Sequence, residues 1–183
     1  MQIVNKQKGA VLLVSLVILL VLTHLAVSGM QGSIMQERMS TAQRDGMFAL
    51  EIAENAMREA EAALDGLSDL SDFGSTTGFY DGTDTTTTVP SPFAAATWSL
   101  DGSSDPDNAV KGTAVNGIDP LFMFEYKGKV TVDSEGQLPR DFSQYAAGPA
   151  EFDYARILVR TSGPSGSSMR LLEGFYVFQP GGL

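Results

Sequence analysis

The fold is decided by residues 6–39, which read KQKGAVLLVSLVILLVLTHLAVSGMQGSIMQERM. Between Gly9 and Gln36 this stretch contains no Lys, Arg, Asp or Glu. A helix of about 20 apolar residues, at a rise of roughly 1.5 Å each, spans a hydrocarbon core of about 30 Å. Residues 10–30 are therefore predicted to form a transmembrane helix. Its helical pattern continues past the point where the membrane should end, and this continuity needs an explanation.

Two lysines, Lys6 and Lys8, precede the apolar run. By the positive-inside rule they keep the N-terminus cytoplasmic, and the chain after residue 30 is exported. An ordinary secretory signal has a shorter apolar region of about 7–15 residues before a cleavage site of small residues. Residues 26–28 offer such a site, but the apolar run before it is too long. We therefore expect a single-pass membrane segment that is not removed at that site.

The helix is predicted to run from about residue 10 to residue 64, where Asp65-Gly66 provides a stop signal. Apolar or small residues recur at spacings of three and four, which places them on one helical face: positions 35, 39, 42, 46, 49/50, 53, 56/57, 60 and 63/64. Charged residues fill the opposite face: Glu37, Arg38, Arg44, Asp45, Glu51, Glu54, Arg58, Glu59 and Glu61. Residues 31–64 are thus an amphipathic half-helix, in which Glu54 and Arg58 have the spacing of an ion pair.

Small residues are concentrated at the end of the apolar half. Ser28 and Gly32 form one small-xxx-small pair, and Gly29 and Ser33 form another. Such pairs allow two helices to approach closely. Alternatively, these glycines only mark the exit from the membrane. Each glycine, including Gly46 further along, costs about 1 kcal/mol of helix stability relative to alanine.

The exported part, residues 65–183, begins with acidic loops. Residues 65–120 are rich in Gly, Ser, Thr, Asp and Pro, which indicates turns. Between Arg58 and Lys111 there are ten acidic residues and no basic one. Trp98 and Leu100 predict one short strand in this region.

The C-terminal third has the alternation of a β-sheet. Residues 122–132 predict a strand, or a tight hairpin about Lys127-Gly128, and residues 154–161 and 169–178 predict two further strands. A Gly/Ser turn at 163–168 joins the last two strands. We therefore expect an α+β fold in which the helical stripe at 35–64 packs on an antiparallel β-sheet.

Composition excludes several functions. The 183 residues carry a formal charge of −10, which argues against nucleic-acid binding. The chain has no Cys and one His, His24, which lies inside the apolar run. The exported domain therefore lacks a thiol or imidazole for catalysis, and we expect neither enzymatic activity nor a cofactor. Three aspartates, Asp101, Asp105 and Asp107, could surround Ca²⁺, but they lack the EF-hand spacing, and a solvated turn is favoured.

The N-terminal segments KGAVLLVSLVILLVLT, SIMQERM and QRDGMFALEIAENAMREAE closely resemble the N-terminal region of PilX-type minor pilins of type IV pili. The resemblance covers about residues 6–64. The matching positions are Glu37, Arg38, Met39, Arg44, Asp45, Ala49, Ala53, Glu54, Ala56, Arg58 and Glu61. Ile52 departs from the pattern, which has alanine there.

This resemblance implies that residues 1–9 are a prepilin leader. A prepilin peptidase would cut after Gly9 and methylate Ala10, and the loss of two lysines would take the formal charge from −10 to −12. In pilins the apolar half-helix anchors the subunit in the inner membrane and later packs in the filament core. The implied partners are other minor pilins, the major pilin and the inner-membrane assembly platform.

Most pilins have Glu at the fifth mature residue, where this chain has Val14. In pilins that carboxylate is presumed to pair with the N-terminal amine of the adjoining subunit. Without it, the resemblance implies a place at or near the pilus tip, in a complex that starts assembly. The acidic loops and the sheet would then carry lateral contacts and adhesion. The plain alternative is that Val14 merely faces lipid.

Two other functions stay open at the sequence level. One is a tip pseudopilin of a type II secretion system, although such proteins usually carry a larger extra domain. The other is an uncleaved, signal-anchored periplasmic binding protein. A mature chain that starts at Ala10 would reject the latter. Loss of pili, as opposed to loss of secretion, would separate the first two.

Overall fold

The computed structural model describes residues 8–99, 108–132 and 150–181. The elements are helix α1 (Lys8–Asp65), strand β1 (Phe79–Asp81), a 3-10 helix (Ala95–Trp98), and strands β2 (Val110–Lys111), β3 (Leu121–Val132), β4 (Ala150–Ser162) and β5 (Met169–Phe178). The chain forms two compact units, Met1–Arg44 and Asp45–Leu183, and helix α1 contributes to both. The predicted long helix is confirmed, as is the α+β class.

The first unit is the N-terminal part of α1. Every residue from Ala10 to Arg44 is exposed. Among the described residues, α1 is the one helix long and apolar enough to cross a membrane. Three positions of the predicted stripe, at 35, 39 and 42, are exposed, so the buried part of the stripe is shorter than predicted and begins only at Gly46.

The second unit is built on a mixed sheet with the strand order β1-β3-β4-β5, in which β2 also pairs with β3. Strands β3, β4 and β5 are antiparallel, as predicted, with Phe124 opposite Ile157 and Ile157 opposite Gly174. Strand β1 adds to β3 in parallel, which the sequence did not indicate.

Strand β3 is continuous, so the hairpin considered about Lys127-Gly128 is wrong. A register shift lies between Tyr126 and Gly128, and Gly128 has a φ of 106°. A β-bulge takes up the extra residue, and glycine tolerates this positive φ because it has no Cβ.

The main core lies between α1 and one face of the sheet. Since side chains alternate along a strand, β3 and β4 each present every second residue to the helix. The buried cluster contains Ala53, Ala56, Ala60, Leu64, Phe73, Phe122, Phe124, Tyr126, Ala155, Ile157, Val159 and Phe178. The helix contributes mainly alanines and the sheet mainly large residues. This complementarity lets the helix backbone lie close to the sheet.

A second, smaller core covers the other face of the sheet. Trp98, Ala109, Met123 and Leu158 form this cluster. Trp98 lies in the 3-10 helix and not in a strand. Its indole Nε1 donates to the carbonyl of Pro92 at 2.8 Å, and this hydrogen bond closes the loop between the two residues. The strand predicted around Trp98 is therefore wrong, and Leu100 lies outside the described residues.

Replacement of Phe124 by alanine should lower the free energy of unfolding by about 3–5 kcal/mol, because its side chain is fully buried and its loss leaves a cavity. Denaturant unfolding of the detergent-solubilised chain, followed by near-ultraviolet circular dichroism, measures this. Phe93→Ala is the matched control, since Phe93 is 86% exposed and should change stability by less than about 0.5 kcal/mol. Equal effects of the two substitutions would contradict the assigned core.

Candidate assembly surface and helix anchor

The apolar half of α1 has no partner within the part of the chain that the structure describes. Leu12, Leu19 and Leu25 are 70%, 66% and 71% exposed, and large apolar side chains stay exposed as far as Met39. This stretch, residues 10–39, is here called the apolar rod. An exposed apolar area of this extent marks a membrane or protein contact.

Two hydroxyls in the apolar rod are satisfied within the helix itself. Ser15 Oγ donates to the carbonyl of Leu12 at 2.9 Å, and Thr23 Oγ1 donates to that of Leu20 at 2.8 Å. A bilayer offers no water to an unpaired polar group, so each such group must find its partner internally. These two hydroxyls therefore leave no unpaired polar group on the apolar surface of the helix.

The predicted small-residue pairs lie on the open surface of the apolar rod. A Cβ built on Gly29 or Gly32 would meet no atom within 4 Å. Val14, at the position of the missing carboxylate, is 54% exposed. These positions are accessible to another helix, and their role in assembly stays a prediction.

Asp45 ties α1 to the turn between β4 and β5. Its Oδ1 accepts a hydrogen bond from the backbone N–H of Ser165 at 2.8 Å. Its Oδ2 accepts from Ser165 Oγ at 2.8 Å and from the backbone N–H of Ser168 at 3.2 Å. Asp45 is only 8% exposed. The carboxylate therefore binds the Gly/Ser turn as a polar anchor at the edge of the core.

Gly163 makes this close approach possible. A Cβ on Gly163 would lie 2.6 Å from the Asp45 carboxylate and 2.7 Å from the Asp45 carbonyl oxygen. A Cβ on Gly46 would lie 2.9 Å from the guanidinium of Arg170, whose Nε donates to the Gly46 carbonyl at 3.4 Å. The flexible end of the arginine side chain can shift, so the close approach requires glycine at position 163 and not at position 46.

The sequence-based placement of Asp45 on the solvent face is wrong. Its three donors come from a turn 120 residues away in sequence, and helical periodicity carries no information about such a contact. The hydrogen bonds from Ser168 and Ser165 hold the pKa of Asp45 at about 2, below its ordinary value of 3.8, since they stabilise the charged form. The anchoring partners Gly163, Ser165 and Ser168 were predicted only as turn residues.

Two more acidic residues of α1 form hydrogen bonds within the second unit. Glu59 accepts from the backbone N–H and the hydroxyl of Thr113, both at 2.9 Å. Asp65 Oδ2 accepts from the hydroxyl of Tyr176 at 2.8 Å, which raises the pKa of Tyr176. The acidic residues of the helix therefore include structural anchors, and Glu59 is also misplaced by the prediction of a purely solvated charged face.

The remaining predicted residues are not brought together. Glu37, Arg38, Met39, Arg44, Glu54 and Arg58 are all exposed. The predicted Glu54–Arg58 ion pair is absent, although the structure describes both residues, and Arg58 Nη1 instead contacts Asn55 Oδ1 at 3.4 Å. Helix α1 begins at Lys8, so Gly9 and Ala10 lie in its first turn, whereas Lys6 lies outside the described residues.

The calcium candidates Asp101, Asp105 and Asp107 also lie outside the described residues. Within the described ranges, no group of three or more His, Asp or Glu side chains is placed to hold a metal ion.

We predict that Asp45 stabilises the fold in a pH-dependent manner. Because its pKa is lower in the folded protein than its ordinary 3.8, its contribution is complete above about pH 4 and is lost as the pH falls towards 2. Asp45→Asn lacks the charge, so the stability difference between the wild type and this variant should be largest near neutral pH and should vanish near pH 2.

Denaturant midpoints at pH 7, 4, 3 and 2 test this, with Asp69→Asn as the control. Asp69 also has a lowered pKa but accepts only a local hydrogen bond from Ser71, so its effect should be smaller at every pH. A constant difference for Asp45→Asn across this range would refute the charged anchor.

Residues 8–58 match the protein-family model described as PilX N-terminal. No curated protein and no solved structure significantly matches the chain. The family match extends across the apolar rod and the anchor residue Asp45, and it ends inside the packed half of α1. Beyond it, the long helix on a β-sheet has a pilin-like architecture. Residues 8–58 thus form a PilX N-terminal domain, which supports the interpretation of the chain as a PilX-type minor pilin of type IV pili.

Proposed function

We propose that this chain is a minor pilin that helps to start the assembly of the type IV pilus, as part of a priming complex with other minor pilins at or near the pilus tip. The observation that carries the proposal is Val14, which is apolar and exposed on the apolar rod, at the position where most pilins have Glu. The nearest carboxylate along α1 is Glu37, about 35 Å further along at 1.5 Å per residue.

The N-terminal amine of a pilin in the filament core is a buried charge. An N-terminal amine inside a bundle of apolar helices is costly unless a carboxylate lies beside it. A subunit with Val14 offers no such carboxylate to the amine of an adjoining subunit. Such a subunit is therefore expected at the end of the filament. In the shaft, the carboxylate of each subunit has to neutralise the N-terminal amine of its neighbour.

The apolar rod is longer than a membrane anchor requires, and this length supports a role in packing against other pilins. Ile34, Met35 and Met39 are 45%, 68% and 60% exposed, and they lie beyond the roughly 20 residues that a bilayer needs. A plain signal anchor has no use for exposed methionines past the membrane surface. Helix neighbours in a filament would cover them, and Ser28, Gly29, Gly32 and Ser33 would permit close contact there.

The proposal assigns a role to each segment. Residues 1–9 are the leader that a prepilin peptidase removes between Gly9 and Ala10. Residues 10–30 hold the subunit in the inner membrane, with the C-terminal side in the periplasm, and then enter the filament core. Residues 31–64 carry the contacts with other minor pilins and the major pilin, and residues 65–183 form the head that is displayed at the cell surface.

The position in the pilus can be tested with a gold-labelled thiol, because the chain has no cysteine. Phe93→Cys provides the label site, since Phe93 is 86% exposed. We expect gold at one end of sheared pili. Addition of Val14→Glu should move gold into the shaft, because the variant can neutralise a neighbouring amine.

Val17→Glu is the matched control, as it adds the same charge one helical turn away, at a site that is 49% exposed. It should not redistribute the gold along the shaft. Gold spread along pili formed with the native Val14 would overturn the tip position. Unchanged piliation after deletion of the gene would overturn the role in starting assembly.

A further inference from the structure

Strand β5 forms an edge of the sheet. It pairs with β4 on one side, and the described residues place no strand on its other side. We propose that this free edge binds an extended segment of another protein, which is apolar on one side and basic on the other. This surface belongs to the second unit and is separate from the apolar rod, so the inference does not depend on where in the pilus the subunit sits.

The apolar requirement follows from the outer face of β5, which is turned away from α1. Met169, Leu171, Phe175 and Val177 are 55%, 37%, 63% and 50% exposed. They alternate with residues that face the helix, and Glu173 alone interrupts the series. Edge strands in monomeric proteins are usually short or carry charged residues or Pro. Strand β5 has ten residues and no Pro, and its two charged side chains are already engaged, since Arg170 donates to the Gly46 carbonyl and Glu173 binds Arg156.

The basic requirement follows from the side of the edge that faces α1. Asp65 accepts a hydrogen bond from the hydroxyl of Tyr176 at 2.8 Å. Glu61 lies one helical turn before Asp65 on the same face of α1, and its charge also raises the pKa of Tyr176. No Lys or Arg of the described residues forms an ion pair with Glu61 or Asp65. Lysine or arginine side chains on a docked strand would meet these two carboxylates.

On the outer face the carboxylates are already paired with cations, and Arg160 lies over the Trp98 ring. Arg156 binds Glu173 at 2.8 Å and Glu125 at 3.2 Å, and Lys127 binds Glu125 at 2.6 Å. A partner strand therefore gains little from a charge on this side and more from apolar contact with Leu171, Phe175 and Val177. The two sides of the edge thus select different side chains, and an alternating sequence satisfies both.

A second copy of this chain is a poor occupant. Antiparallel self-pairing centred on Glu173 sets two Glu173 side chains opposite each other, and like charges in direct opposition are destabilising. It also brings the Glu61 and Asp65 carboxylates of both copies together. With a formal charge of −10, the chain repels its own copies and attracts a cationic segment.

The test uses the full chain in a non-ionic detergent and two fluorescent nine-residue peptides, one alternating Val with Lys and one alternating Val with Glu. Fluorescence anisotropy should show saturable binding of the Val/Lys peptide and none of the Val/Glu peptide. Phe175→Asn should weaken binding by about tenfold, the equivalent of roughly 1.4 kcal/mol. Glu61→Gln should weaken it less and should reduce its dependence on salt.

Phe48→Asn is the matched control, because it removes an exposed phenylalanine of α1 outside β5 and should leave the dissociation constant unchanged. Circular dichroism confirms that each variant is folded. The proposal is overturned if neither peptide binds, if both bind equally, or if Phe48→Asn weakens binding as much as Phe175→Asn. A detergent-solubilised dimer that Phe175→Asn converts to a monomer would overturn it in favour of self-pairing.

Discussion

Helix α1 changes at Asp45 from an exposed helix to one that packs on the sheet, and the arrangement of the other elements follows from this division. On the C-terminal side of this point the helix buries a stripe of alanines against the sheet, and on the N-terminal side every described residue from Ala10 is exposed. One continuous helix therefore has to be stable both in a protein core and in surroundings that the described residues do not supply. In the proposed function, the bilayer provides such surroundings before assembly, and the apolar helices of neighbouring pilins provide them in a filament.

Polar anchors fix the point where the division occurs. Asp45 holds the β4–β5 turn, Glu59 holds Thr113, and Asp65 holds Tyr176. These carboxylates lie along the packed half of α1, where they bind loops and strands that are distant in sequence. Alanine side chains alone specify the position of the helix along its axis only weakly, since they are small and uniform. The hydrogen bonds specify one position, and Gly163 keeps the turn close enough to make them.

Much of this fold is readable from the sequence because it follows from local periodicity. The long helix, the two C-terminal strands and the Gly/Ser turn all have strong patterns, and the family match is confined to the most regular region, residues 8–58. Contacts between distant segments have no such pattern. The burial of Asp45, the bulge at Gly128 and the parallel pairing of β1 depend on tertiary neighbours. The strand predicted at Trp98 is wrong for the same reason. The hydrogen bond from its indole to the carbonyl of Pro92 is a tertiary contact, and it overrides the strand propensity of tryptophan.

In the proposed function, the apolar rod exchanges lipid for protein without contacting water, and thiol accessibility measures this exchange. Leu20→Cys can be the only thiol in the chain, because the natural sequence has none. A water-soluble maleimide should not label this thiol in membrane vesicles or in sheared pili, whereas it should label Phe93→Cys in both. Labelling of Leu20→Cys in intact pili would refute the exchange, because it would show that water and not neighbouring helices surrounds the rod after assembly.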